Sequence, residues 1–189
     1  MAAAHHQSEQ DIKNDEQWII AAKKNPEKFS FLYDKYFEQI FNFIFRRIDE
    51  EDITADLTSQ TFLKALQSIK KYQNRGLPFS AWLYRIATNE VNKHYRRKKR
   101  RFVFSLEENL IKNLIASEED QLESDENLQK LITTLEDLDT NDVIILELRF
   151  FEERNFKDIA YILDITESSA KMRTYRAIEK LKKKINSKI

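Results

Sequence analysis

Cysteine is absent from this chain, so neither a disulfide framework nor a thiolate metal site can be built. Glycine occurs once and proline twice, which leaves almost no turn chemistry for β-hairpins. With 34% charged residues and abundant Leu, Ile, Ala and Lys, the expectation is an all-α protein. The lone Gly76 cannot supply a phosphate-cradling loop or a dinucleotide fingerprint. Histidine is equally scarce: His5 and His6 lie in a polar leader and His94 in a cationic tract, which offers no metal cluster and no catalytic pairing. No catalytic residue, metal ligand or cofactor is therefore expected, and the chain does not read as an enzyme. Long apolar runs are missing too. None approaches the length that spans a bilayer, and the first residues lack the apolar core of a signal peptide, so a cytoplasmic protein without membrane insertion is expected.

The formal net charge of zero hides a strong segregation. Residues 105–142 carry twelve Asp and Glu against only Lys112 and Lys130. From Lys171 onward the sign reverses, and Glu179 is the only acid among Lys171, Arg173, Arg176, Lys180 and the lysines that follow. Blocks of this kind imply local electrostatic partners even when the total cancels.

A second basic block closes residues 72–101, where aromatic rings and cations share one predicted helix. Tyr72, Asn74, Arg75, Phe79, Trp82, Tyr84, Arg85, Asn89, Lys93 and Tyr95 precede six consecutive basic residues that begin with Arg96 and Arg97. Rings that stack on unpaired bases, beside cations that neutralise phosphates, are what a protein needs to hold a single strand. Phe79, Trp82, Leu83 and Ile86 also recur at core spacing, and a cationic helix end suits the macrodipole, so this tract by itself fits either reading.

The apolar pattern divides the chain into a mobile polar leader at 1–15, a helical domain at 16–101, an acidic linker at 102–125 and a second helical domain at 126–189. In the first domain, helices are expected near 15–24, 26–48 and 53–72, with Asp52 and Thr54 as capping candidates. Phe41 and Phe45 make the second half of the second of these apolar around most of its circumference, which places that helix centrally. The loop 73–77 holds the single glycine, and Pro78 suits the first turn of a fourth helix. Fully extended, the roughly 24 residues of the linker reach about 80 Å, enough for one chain to straddle two separated DNA sites.

In the second domain, a helix near 126–136 leads to Asp139, Thr140 and Asn141, candidate caps for the next. Then come a short helix at 155–163, a break at Asp164 and Ile165, and a new helix from Thr166. A small Ala160 where two helices cross, a tight turn and an apolar Ile165 give helix-turn-helix spacing. Its second helix would present Glu167, Ser168, Ser169, Lys171, Met172, Arg173, Tyr175 and Arg176 to a major groove. A three-helix bundle with a basic surface fits the same pattern.

Together these segments resemble the extracytoplasmic-function sigma factors, compact two-domain bacterial transcription initiation factors of the sigma-70 family. The resemblance runs over roughly residues 16–184. Asp56-Leu57-Thr58 through Phe62-Leu63-Lys64-Ala65-Leu66 is similar to the family's polymerase-binding helix, and residues 79–89 to its promoter-melting helix. Leu148 to Phe151, Ile159 to Leu163 and Ile165 to Arg173 are similar to its upstream-element reader. Ser59-Gln60 stands where the family usually has Gln-Glu, and Ser168-Ser169-Ala170 where Gly, Thr and Val are typical.

The resemblance implies core RNA polymerase and promoter DNA as partners, with an anti-sigma factor as a sequestering regulator. It implies polymerase contacts at Asp56, Gln60, Phe62 and Leu63, and single-strand contacts at Asn74, Arg75, Phe79, Trp82, Arg85, Asn89, Lys93, Arg96 and Arg97. Upstream-element contacts would come from Thr166, Glu167, Ser168, Ser169, Lys171, Met172, Arg173 and Arg176, and the linker would thread a polymerase channel. The alternatives are a helix-turn-helix regulator with an unrelated sensor or dimerisation bundle, or a protein-binding adaptor.

Overall fold

The computed structural model describes residues 9–98 and 140–186, and every regular element among them is helical. The chain divides into two compact units, residues 1–101 with 161–163 and residues 102–160 with 164–189. The first holds α1 (Glu9–Lys24), α2 (Ser30–Ile48), α3 (Glu51–Ser68) and α4 (Phe79–Lys98). Short 3-10 turns at Pro26–Phe29 and Ile69–Lys71 lead into α2 and out of α3. The second holds α5 (Thr140–Phe150), all but the last three residues of α6 (Phe156–Leu163), and α7 (Glu167–Asn186). The linker at 102–125, the helix expected near 126–136 and the capping candidate Asp139 lie outside the described residues.

Helix α2 is the spine of the first unit and packs on α1, α3 and α4. It buries Leu32, Tyr36, Ile40, Phe43, Ile44 and Ile48 at helical spacing. Its Phe43 meets Tyr84 of α4 edge-on at 4.6 Å, while Tyr33 meets Phe62 of α3 at 4.8 Å. Such ring pairs add about 0.5–1.5 kcal/mol each beyond their burial. Asp49, left-handed at φ 53°, ends α2 by donating its backbone N–H to the Phe45 carbonyl.

Three local expectations need correction. The predicted leader to residue 15 overlaps α1, which begins at Glu9, and Asp15 is only 2% exposed. Asp15 accepts from Lys35 Nζ at 2.6 Å and from the Tyr36 hydroxyl, a charge and hydrogen-bond satisfaction from α2 that no local pattern reveals. Neither Asp52 nor Thr54 caps α3: the capping position is Glu50, without a side-chain bond, and the buried Thr54 hydroxyl donates to the Glu50 carbonyl at 2.8 Å. Pro78 precedes α4 rather than sitting in its first turn, and its carbonyl accepts from Ala81 N at 3.0 Å.

In the second unit, α5 buries Val143, Ile144, Ile145, Leu146 and Leu148 and packs on α7, where Lys180 pairs with Asp142. Asn155 caps α6 by accepting from Asp158 N at 2.8 Å. The α6–α7 turn is tight because Asp164 adopts φ 57°, ψ 46° and its N–H returns to the Ala160 carbonyl. Ile165 N donates to the same carbonyl at 3.0 Å. This is the left-handed stop usually given to glycine, taken here by one of the side chains that tolerates it best. Among the described residues, no helix is long and apolar enough to cross a membrane.

Candidate nucleic-acid interface

Helix α4 positions most of the cationic candidates. Trp82, Arg85, Asn89, Lys93 and Arg96 recur every three or four residues, so they share one face. Exposure grades along that stripe: Trp82 and Arg85 are half-buried, while Asn89, Lys93 and Arg96 are exposed. Arg97 continues the helix. The opposite face of α4 is core, with Leu83, Tyr84, Ala87 and Val91 all at 0% exposure. That face is fastened by Glu90, which pairs with Lys64 of α3, and by the Tyr95 hydroxyl, which donates to the Arg47 carbonyl at the end of α2.

The loop before α4 is shaped by its own side chains. Asn74 Oδ1 accepts from Gly76 N at 2.9 Å, closing a turn in which Gly76 takes φ 69°. Asn74 and Arg75 are exposed, but the Asn74 oxygen is committed to the turn. Lys23 of α1 donates to the Tyr72 carbonyl at 2.7 Å and pins the loop's start, a contact across 49 residues. The Tyr72 ring packs on Phe79 at 5.3 Å and on Trp82 at 4.8 Å. Burial pushes its hydroxyl up to about 12, so it stays neutral at physiological pH.

Phe79 does not join the exposed set. At 2% exposure it packs against Tyr36, Tyr72 and Trp82, and a ring enclosed in that way offers no face to a base. Phe62, expected at the polymerase surface, is likewise core at 3% exposure, set against Phe29, Tyr33 and Phe37. The rest of that group does lie on the surface of α3: Asp56 is exposed, Gln60 donates to Asp56 Oδ2 at 2.7 Å, and Leu63 is 54% exposed. A stacked pair that sequence spacing does not reveal, Trp18 on Phe31 at 4.0 Å, leaves both rings partly exposed at 36% and 42%.

The candidates of the second unit gather on α7. Thr166 caps the helix, its hydroxyl accepting from Ser169 N at 3.2 Å and donating to Ser169 Oγ at 2.9 Å. Glu167, Ser168, Lys171, Met172, Arg173 and Arg176 are exposed, and Ser169 is half-buried. Ala170, Thr174 and Ala177 are buried on the other side. A capped helix with hydroxyls at its start and cations along its outer face can meet phosphates and base edges together.

Comparison with known proteins gives a consistent picture. The family model for sigma-70 region 2 matches residues 32–101, and that for sigma-70 region 4 matches residues 134–183. The ECF RNA polymerase sigma factor BldN of Streptomyces coelicolor is 31% identical over 155 residues, 81% of this chain but only 58% of BldN. The RNA polymerase sigma factor YlaC of Bacillus subtilis is 30% identical over 162 residues, covering 85% of this chain and 93% of YlaC. In fold, the chain is similar to the sigma factor RpoE of Bartonella quintana, solved with the anti-sigma factor NepR. The TM-score is 0.60 at 19% identity, over 85% of this chain and 98% of that one.

Proposed function

Since the chain belongs to the sigma-70 family, as an extracytoplasmic-function RNA polymerase sigma factor that directs core polymerase to promoters, we propose that its two units divide the work between opened and intact DNA. The first unit docks on core polymerase through Asp56, Gln60 and Leu63 of α3. Its loop at 73–77 and the α4 stripe of Trp82, Arg85, Asn89, Lys93 and Arg96 hold the displaced strand of the downstream element. The second unit lays α7 in the major groove of the upstream element, with Arg173 and Arg176 on base edges or phosphates. The observation that carries this reading is the graded stripe on α4, half-buried at Trp82 and exposed from Asn89 onward.

The energetics support the division. Extracting a base from the stack costs a few kcal/mol. Stacking on protein rings returns about 1–3 kcal/mol per base, and exposed cations add counterion release. Catalysis stays with the polymerase, because this chain serves as its specificity subunit, and the working compartment is the cytoplasm where polymerase and chromosome meet. We propose also a sequestering anti-sigma partner that competes with core polymerase for the first unit. Its exposed Trp18, Ile20, Phe31 and Leu63 supply apolar surface for such a contact. A partner that forms a ternary complex with this chain and core polymerase would contradict the competition.

Permanganate footprinting of the reconstituted holoenzyme on a promoter it transcribes tests the strand-holding role. Asn89→Ala is expected to lower thymine reactivity in the downstream element while core binding stays intact. Equal reactivity in wild type and variant would remove Asn89 from the interface.

A further inference from the structure

Helix α7 exposes two large apolar side chains where an ordinary solvated face would be polar. Met172 is 52% exposed and Tyr175 is 53% exposed. By helical geometry Met172 lies diametrically opposite the buried stripe of Ala170, Thr174 and Ala177, so it forms the crest of the exposed face. Tyr175 stands one turn further along, beside Met172, and Ser168 one turn before it. Lys171 and Arg173 flank the crest on either side, and Arg176 follows it. A single exposed apolar residue on a surface is ordinary. An apolar pair at the crest of a helix whose flanks are cationic is a more particular arrangement, since in the proposed placement on DNA the flanks meet the two strands and the crest faces the groove floor.

Polar donors and acceptors cover most of the major-groove floor, where the one apolar group offered by the bases is the thymine methyl. A thioether forms no strong hydrogen bond, adapts its three rotors to the available space and packs well on a methyl. We infer that Met172, with the Tyr175 ring as a second wall, reads a thymine methyl in the upstream promoter element and thereby sets part of this factor's promoter preference. The inference rests on the placement of α7 in that groove. It adds a discrimination that phosphate contacts cannot supply, because those hold every sequence alike.

The test uses the holoenzyme and a duplex that it selects from a randomised library. Thymines of the selected upstream element are replaced one at a time by deoxyuridine, which removes the methyl and nothing else. Wild-type binding is expected to weaken about fourfold at one or two positions, the worth of one buried methyl. Met172→Ala should bind the thymine and deoxyuridine duplexes alike, whereas Met172→Leu should retain the difference. Tolerance of deoxyuridine at every position, or undiminished sensitivity in Met172→Ala, would overturn the inference while leaving the placement of α7 intact. Failure to enrich any upstream sequence would overturn both.

Discussion

The proposed upstream-element contact rests most directly on Arg173 and Arg176. Both are exposed on α7, so replacing either with alanine disturbs no core contact. Arg173→Ala and Arg176→Ala are expected to weaken upstream-element binding by ~1–3 kcal/mol wherever the lost contact is to a base. Where the contact is to phosphate, the loss should instead be uniform across sequences and flatten the salt dependence by about one unit of log–log slope. Fluorescence anisotropy over a salt series separates the two, and unchanged affinity in both variants would contradict the assignment. Asp164 carries a different burden, the left-handed turn between α6 and α7 at φ 57°. Asp164→Ala should destabilise the second unit by about 1 kcal/mol, read as a shift in the denaturation midpoint. At this scale the sequence was legible where chemistry alone decides, as with Asp164 in the turn and the exposed Arg173. It misled where the same residue type serves two ends. Phe62 and Phe79 have the chemistry of contact residues, yet rings from neighbouring helices enclose them, and no spacing within one helix reveals that.

At the scale of elements, helical periodicity revealed most of what the structure holds. Helix α2 runs centrally because its apolar positions occupy more than one face, and α6, turn and α7 fall where Ala160, Asp164 and Ile165 suggested. Element ends were less legible, because caps and starts are settled by neighbours. Helix α1 reaches back to Glu9 past an Asp15 that Lys35 and Tyr36 hold, and α3 begins at Glu51 with no side-chain cap at all. The start of α7 is the opposite case, since the Thr166 hydroxyl accepts from Ser169 N. Thr166→Ala should cost about 1 kcal/mol of stability and Thr166→Ser much less, measured by thermal or denaturant unfolding. Equal stability of all three proteins would show that the cap contributes nothing.

For the whole molecule, the decisive property is the distribution of charge rather than its sum. Basic blocks at the end of α4 and on α7 flank an acidic stretch in the sequence, while the total is zero. Binding of the second unit to its duplex should therefore weaken steeply with salt although the chain as a whole is neutral. The order of the two family-model matches, region 2 before region 4, agrees with the order in which the single-strand and helix-turn-helix patterns occur in the sequence. What periodicity could not supply is the set of long-range pins, such as Lys23 on the Tyr72 carbonyl and Lys64 with Glu90, which join residues 49 and 26 positions apart. The most direct measurement is the affinity of the purified chain for purified core RNA polymerase, followed by run-off transcription from a promoter that the complex selects. A stable complex that starts transcripts only at that promoter is the predicted result. A chain that binds upstream duplex yet shows no affinity for core polymerase would contradict the assignment outright.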